Sequence, residues 1–492
     1  MQLNIRQLAS QTAVYGLSSI IAKVLNYLLT PLLTGIFEPS VYAIISELYS
    51  YIAIMLAILT FGMETALFRF GSKIEEVKSV FGSSFTFVSL LTGVFFILVV
   101  SWADNISIWL KYPGHSDYVV MFSIIIALDA LSALPQARLR QENRPGYFAL
   151  VNLGSILVSV GLIVFWLIIC RQQYLTKGSE AGFFVKYLYN HNLGVAYVFI
   201  SNVIASAFKL GVLMPVIFQS FGKPDLKKIL NMFQYAWPLA IGSVCFIINE
   251  KSDILFLTHI LPKDHARHAV GVYGACYKIA LLMYLFIQAF RFAAEPYFFA
   301  QQGKKDARLI YSEIMTWFVA FCLGLFLFIN MFIHLLKYFI SQPLYWEGLH
   351  IVPIISAAIL LSGVYLNLSM WYKLTGQTRY GMYFSILGAS VTIILNVSLI
   401  PLMGYLGSAW ATFFCYLIMV IVSFIIGQKQ YPIPYQIKKL GYIFLVSALI
   451  FISFKIFEDI STFIRYFTAI VGLNLYILIV YKSLLLNKNL NI

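Results

Sequence analysis

The sequence predicts an all-α polytopic membrane protein with about fourteen transmembrane helices, on three observations. Of the 492 residues, 61% are hydrophobic and 11% are charged, whereas a soluble domain carries roughly 25% charged residues. Too little polar surface is available to cover a water-facing globule of this length. Apolar runs of ~20 residues recur from end to end, each long enough to cross a hydrocarbon core of about 30 Å. Basic residues gather on alternate loops, the pattern that orients inner loops of membrane proteins. The apolar runs are continuous rather than alternating, which favours helices over the strands of a barrel, and helices satisfy their own backbone groups in lipid.

In chain order, spans are expected near residues 22, 56, 90, 129, 158 and 205, then 245, 286, 322, 362, 390 and 416, then 449 and 473. The first is weakly delimited by Gln11 and Lys23. Its apolar run is too long for the h-region of a signal peptide, so it reads as a span. With the N-terminus inside, the inner loops collect Arg138, Arg140 and Arg144, then Lys223, Lys227 and Lys228, then Lys304, Lys305 and Arg308. Both termini are therefore expected in the cytoplasm. The net charge of +14 is accounted for mostly by this topology, and no nucleic-acid partner is implied. The five cysteines lie in or beside spans without metal or disulfide spacing, as small apolar packing residues do.

The chain resembles itself. An offset of 231 residues brings Val41-Tyr42 onto Val272-Tyr273, Glu64 onto Glu295 and Lys73 onto Lys304. An offset of 235 pairs Arg144 and Gly146 with Arg379 and Gly381, and one of 213 pairs Gly194 and Ala196 with Gly407 and Ala409. The shortening falls at the outer loop 171–192, which reads as an insertion in the first half. Both halves begin on the same side, as parallel repeats do, and such proteins place substrate between their halves. The expected organisation is a six-helix bundle over 1–220, a second over 221–430, and two extra transmembrane helices over 431–492.

Five stretches, Tyr15–Ser19, Asn26–Pro31, Gly62–Phe70, Ala289–Pro296 and Gly404–Thr412, resemble bacterial polysaccharide-unit flippases. These are the O-antigen and exopolysaccharide (Wzx-like) branch of the multidrug/oligosaccharidyl-lipid/polysaccharide exporter superfamily. The resemblance covers essentially the whole chain and implies two six-helix bundles facing each other in a V. It also implies an alternating-access flippase of the bacterial inner membrane. Its cargo would be an undecaprenyl-pyrophosphate-linked oligosaccharide, its surroundings the membrane lipids, and its candidate partners a polysaccharide polymerase and assembly proteins. The same superfamily holds lipid II flippases and drug or cation exporters, and these are the alternatives. The exporters commonly carry a carboxylate in the first span, where this chain has Lys23. A membrane polymerase or glycosyltransferase is the rival from another class. The outer loops here are short, and an enzyme would leave the duplication unexplained.

Ionisable groups inside spans are functional candidates because each costs several kcal/mol, about 3 on insertion scales, unless paired or wetted. Lys23, Lys278 and Arg291 lie within spans. Either they pair with carboxylates of neighbouring helices, or they line a wet cavity and offset the anionic charge of a pyrophosphate. Lys209, nearer a span end, is expected to snorkel. Glu250 and Asp253, three residues apart on one helix face, are candidates for ion coupling or for pairing. Glu47 and Lys278 correspond under the repeat and have opposite signs, which suggests a gate pair. Glu64 and Glu295 are expected to cap or pair with Arg69 and Arg291. Most of the 32 Tyr, 42 Phe and 8 Trp suit interfacial belts and packing. His265 and His268 have a metal-like spacing but no third ligand nearby in sequence. No phosphate loop, nucleophile elbow or metalloprotease motif is present, so no catalytic residue, metal or cofactor is assigned.

Overall fold

The computed structural model describes residues 5–71, 76–177, 182–458 and 460–486. Lys73, matched to Lys304 in the repeat, lies outside them. Among the described residues the regular structure is entirely helical. Fourteen long helices follow in order. They are α1 (Ile5–Ile36), α2 (Pro39–Thr60), α3 (Val77–Ser101), α4 (Ser116–Gln141), α5 (Pro145–Val164), α6 (Ala196–Ser220) and α7 (Leu226–Ile260). Then come α8 (Lys263–Gln301), α9 (Ala307–Met331), α10 (Val352–Leu368), α11 (Arg379–Met403), α12 (Tyr405–Gln430), α13 (Ile437–Phe457) and α14 (Thr462–Leu486). Thirteen helices among the described residues are long and apolar enough to cross a membrane. The remaining one, α7, is 35 residues long and carries Glu250, Lys251 and Asp253 in its interior.

Local chemistry sets the boundaries. Pro39 and Pro145 open α2 and α5, where a missing N–H costs nothing and φ is preset for a helix. Asp225 caps α7, accepting from the Lys227 amide at 2.9 Å. After α2, Phe61 and Gly62 both turn left-handed (φ 48° and 68°), so the span breaks and resumes as a short helix, Met63–Phe70. The matching stretch of α8, at Phe292 and Ala293, runs through as unbroken helix.

Contacts divide the chain into two compact units, Met1–Gly271 and Val272–Ile492. In the first, α4 packs on α3 and α6, α5 packs on α1 and α6, and α7 packs on α2, the short helix Met63–Phe70 and α3. The core here joins Met63, Leu67, Phe81, Leu134 and Met232. A Cβ on Gly82 would stand 2.0 Å from the Gly222 carbonyl oxygen, so the start of α3 crosses the α6–α7 connection where only glycine fits. The insertion after α5 packs at the helix ends, with Val185 against Cys170 and Tyr189 stacked on Tyr197 at 5.2 Å. In the second unit α12 packs on α10 and α11, and α13 and α14 lie against α9. The core there joins Trp371, Phe384, Cys415, Tyr416 and Met419.

Candidate functional site

Polar side chains recur at seven-residue spacing on three helices of the first unit: Asp129 and Gln136 on α4, Asn152 and Ser159 on α5, Asn202 and Lys209 on α6. Seven residues are about two turns, so each pair occupies one face. The faces meet. Lys209 Nζ lies 2.5 Å from Asp129 Oδ1, and Gln136 donates to Asn152 at 3.2 Å. Ser159 donates to the Asn202 carbonyl oxygen at 3.0 Å, and the Asn202 amide donates to the Tyr49 hydroxyl of α2 at 2.6 Å. Together they form a polar ladder inside the unit. Lys209 was expected to snorkel and does not. Its side chain is 17% exposed and that of Asp129 20%, because α4 presents a carboxylate within reach and pairing relieves the cost of a charge in an apolar setting.

Glu47 stands in a second polar cluster of the same unit. It is 1% exposed and accepts a short hydrogen bond from the Tyr112 hydroxyl. The Arg267 guanidinium lies over the Tyr112 ring, 4.6 Å from its centroid, and donates to the Lys111 carbonyl. Lys111 Nζ in turn donates to the Thr258 carbonyl at 2.5 Å. Burial, reinforced by the Glu47 carboxylate, pushes the Tyr112 phenol above its ordinary value, so it stays protonated and remains a donor. The cluster ties α2 to the α3–α4 connection, the end of α7 and the start of α8. Of the other residues singled out in this unit, Lys23 is exposed on α1, while Glu250 is half-buried and Asp253 buried on α7. Asn249 and Ser252 are buried beside Asp253.

In the second unit Lys278 and Arg291 are both half-buried on α8. Thirteen residues separate them, about 20 Å along a helix axis, so the two cations occupy different levels. Arg291 lines a small cavity with Glu295, Asn367 and Gly363, where α8 meets α10. The partners expected for the glutamates are replaced. Glu295 pairs with Lys373 at 2.5 Å and Glu64 with Arg140 at 2.6 Å. Arg69 sits five residues beyond Glu64, off its helix face, and lies over the Tyr235 ring at 4.3 Å. With Glu295 taken by Lys373, Arg291 makes no ion pair among the described residues.

A larger space adjoins this one through Phe290 and Ala294, and a second adjoins that space through Trp317. A cavity of about 500 Å³ lies between α8 and α9 and is lined by Phe290, Tyr297, Glu313 and Trp317. A groove of about 350 Å³ between α9 and α14 is apolar, with Trp317, Phe321, Phe328, Tyr476 and Tyr481 on its walls. Sequence reasoning missed both of these and Asp129. A carboxylate in the middle of an apolar run, ten residues or more from any other charge in its helix but for Arg138, was a visible signal for Asp129. The cavities had none, because they depend on how helices pack.

Comparison with known proteins adds identity to this geometry. The family described as "Polysaccharide biosynthesis protein" matches residues 8–302, and the family described as MatE matches residues 238–398. No curated protein sequence matches the chain. Among solved structures, the inward closed conformation of the lipid II flippase MurJ is similar at a TM-score of 0.73 with 15% identity, over 96% of this chain and 99% of that one. An inward-facing multidrug resistance MATE family transporter of the MOP superfamily is similar at 0.63 with 14% identity, over 85% and 97%. The MATE multidrug transporter DinF-BH in complex with R6G is similar at 0.62 with 15% identity, over 88% and 97%.

Proposed function

Because the chain belongs to the polysaccharide biosynthesis protein family, we propose that it is a flippase carrying an undecaprenyl-pyrophosphate-linked oligosaccharide from the cytoplasmic to the periplasmic leaflet of a bacterial inner membrane, for surface polysaccharide such as O-antigen. The observation that carries this reading is Arg291. Its guanidinium sits within an apolar span and lines a cavity, and the carboxylate four residues on, Glu295, is paired with Lys373. A cation so placed is costly until an anion or water compensates it, and a planar guanidinium suits phosphate oxygens. Lys23 and Lys278 would add positive charge at other levels of the path, and the undecaprenyl tail would stay in the bilayer. Glu250 and Asp253 are the proposed coupling groups, and Glu47 with Lys278 the proposed gate pair. That gate fails if Glu47→Gln and Lys278→Gln prove additive in a double-mutant cycle on transport.

Deleting the gene and measuring lipid-linked saccharides by mass spectrometry, with the leaflet of each species probed, tests the cargo. A complete repeat unit stranded on the cytoplasmic leaflet is the expected result. Stranded lipid II would identify the alternative cargo. An unchanged saccharide pool with new drug sensitivity would point to an exporter. Complete units already flipped but unpolymerised would indicate an enzyme.

A further inference from the structure

The Arg291 cavity is too small for the anion assigned to it. Arg291 on α8 and Asn367 on α10 line one space of about 10 Å³, which admits a single water but no phosphate. We propose that Asn367 is the resting partner of Arg291: its amide oxygen accepts from the guanidinium through that water until an anionic head group takes its place. This rests on the flippase reading above, which gives Arg291 to the pyrophosphate. Asn367 is 9% exposed, and among the described residues no group donates to its Oδ1. A buried carbonyl oxygen left without a donor is costly, and the guanidinium on the same cavity carries five N–H donors.

Local geometry fixes which end of the amide is on offer. Asn367 Nδ2 donates to the Gly363 carbonyl one turn earlier at 3.2 Å. A carbonyl accepts only from the nitrogen end, so the other end of the side chain is the oxygen. Gly363 lines the same cavity, and a Cβ there would stand 2.6 Å from the Phe318 ring and 2.9 Å from Ile287. The turn of α10 that carries Asn367 therefore approaches α8 as closely as only a glycine allows.

A neutral acceptor suits a partner that must yield. Hydrogen bonds between two charged groups are stronger than those from a cation to an amide, so a pyrophosphate displaces an asparagine where it would have to compete with a carboxylate. Glu295, the carboxylate on this cavity, is engaged by Lys373. Under the expected repeat the two residues are absent together. Offsets of 231 and 235 put Thr60 and Ser132 at the places of Arg291 and Asn367. Both hydroxyls are spent on their own helices, Thr60 on the Leu56 carbonyl at 2.9 Å and Ser132 on that of Leu128 at 2.7 Å.

The full chain in lipid nanodiscs is titrated with undecaprenyl pyrophosphate, and with undecaprenol as the uncharged control. Asn367→Asp gives the guanidinium a charged partner and is expected to weaken binding of the pyrophosphate lipid about tenfold. Asn367→Leu, of similar volume, removes the competing acceptor and is expected to bind that lipid at least as tightly as wild type. Undecaprenol should be unaffected by either. Equal losses in both variants would reduce Asn367 to a packing residue, and unchanged pyrophosphate binding in Asn367→Asp would remove it as a competitor; each outcome overturns the inference. Arg291→Gln tests the reading beneath it, since pyrophosphate binding that survives this change takes the anion away from Arg291. A cycle of Arg291→Gln and Asn367→Leu on thermal unfolding without any lipid tests the resting contact whatever the cargo. Non-additive shifts are expected, and additive ones would overturn it.

Discussion

The interiors of the two units differ where their sequences correspond. In the first, α4, α5 and α6 meet through Asp129–Lys209, Gln136–Asn152 and Ser159–Asn202–Tyr49. The repeat offsets put Val364 and Val422 at the places of Asp129 and Lys209, Trp371 and Leu387 at those of Gln136 and Asn152, and Cys415 at that of Asn202. Trp371 and Cys415 lie in the buried core of the second unit. At these positions the first unit is polar and the second apolar, while the second unit places its buried polar contacts elsewhere, Ser408 donating to Asn396 at 2.7 Å and Asn330 to Ser356 at 3.1 Å. A buried ion pair is weak evidence for stability, since hydrophobic residues of similar volume often do as well or better. The Asp129–Lys209 pair is therefore expected to be replaceable by apolar side chains of similar volume. By contrast, the glutamate–cation pair is present in both: Glu64–Arg140 links the end of the second span to α4, and Glu295–Lys373 links the end of α8 to the end of the α10 segment.

Each element of this contrast can be broken. Asp129→Ala leaves the Lys209 ammonium uncompensated and is expected to cost ~3 kcal/mol, read as thermal unfolding of the purified protein. The double variant Asp129→Val with Lys209→Val copies the second unit and should recover most of that loss. A double variant no more stable than the single one would mean that the first unit needs its ladder. Gly82→Ala drives a methyl group into the Gly222 backbone and should cost about 2 kcal/mol, with no counterpart expected at Gly93, whose Cβ would meet open space.

The repeated pairs should behave alike. Glu64 and Glu295 are 36% and 37% exposed at their side chains, so solvent screening limits each to about 1 kcal/mol or less. Glu64→Gln and Glu295→Gln are expected to lower the unfolding temperature by similar small amounts. Losses differing several-fold would show that the pairs serve different ends.

The smallest effect belongs to the two added helices. Glu458, between α13 and α14, takes His334 at 3.0 Å and Lys455 at 2.6 Å. Burial opposes its ionisation, but hydrogen bonds from Lys455 and His334 and their charges outweigh it and hold the carboxyl below its usual range. A depressed carboxyl stabilises the fold above its ordinary pKa, and that contribution disappears as pH falls through the lowered value. Glu458→Gln should therefore reduce stability at neutral pH, with the difference from wild type shrinking below pH ~4. A difference that persists in acid would place the effect in packing instead.

Composition and hydropathy by themselves determined the membrane class, because 61% hydrophobic residues in runs of bilayer length have no other stable arrangement than helices. The family resemblance was legible in the same way, as it is a property of residue order, and the expected duplication rests on residue order alone. Glu47 and Arg291 stood out as charges in apolar runs, which needs no knowledge of neighbours. Which groups meet was decided by tertiary structure alone. Asp129 finds Lys209 eighty positions away, Glu64 finds Arg140 in preference to the nearby Arg69, and Tyr297 shares a wall with Trp317 across two helices. Each pairing depends on the rotation of one helix about its axis and its height against another. Those quantities are set by the packing of many apolar side chains at once, and apolar stretches this uniform leave little periodicity from which to read them.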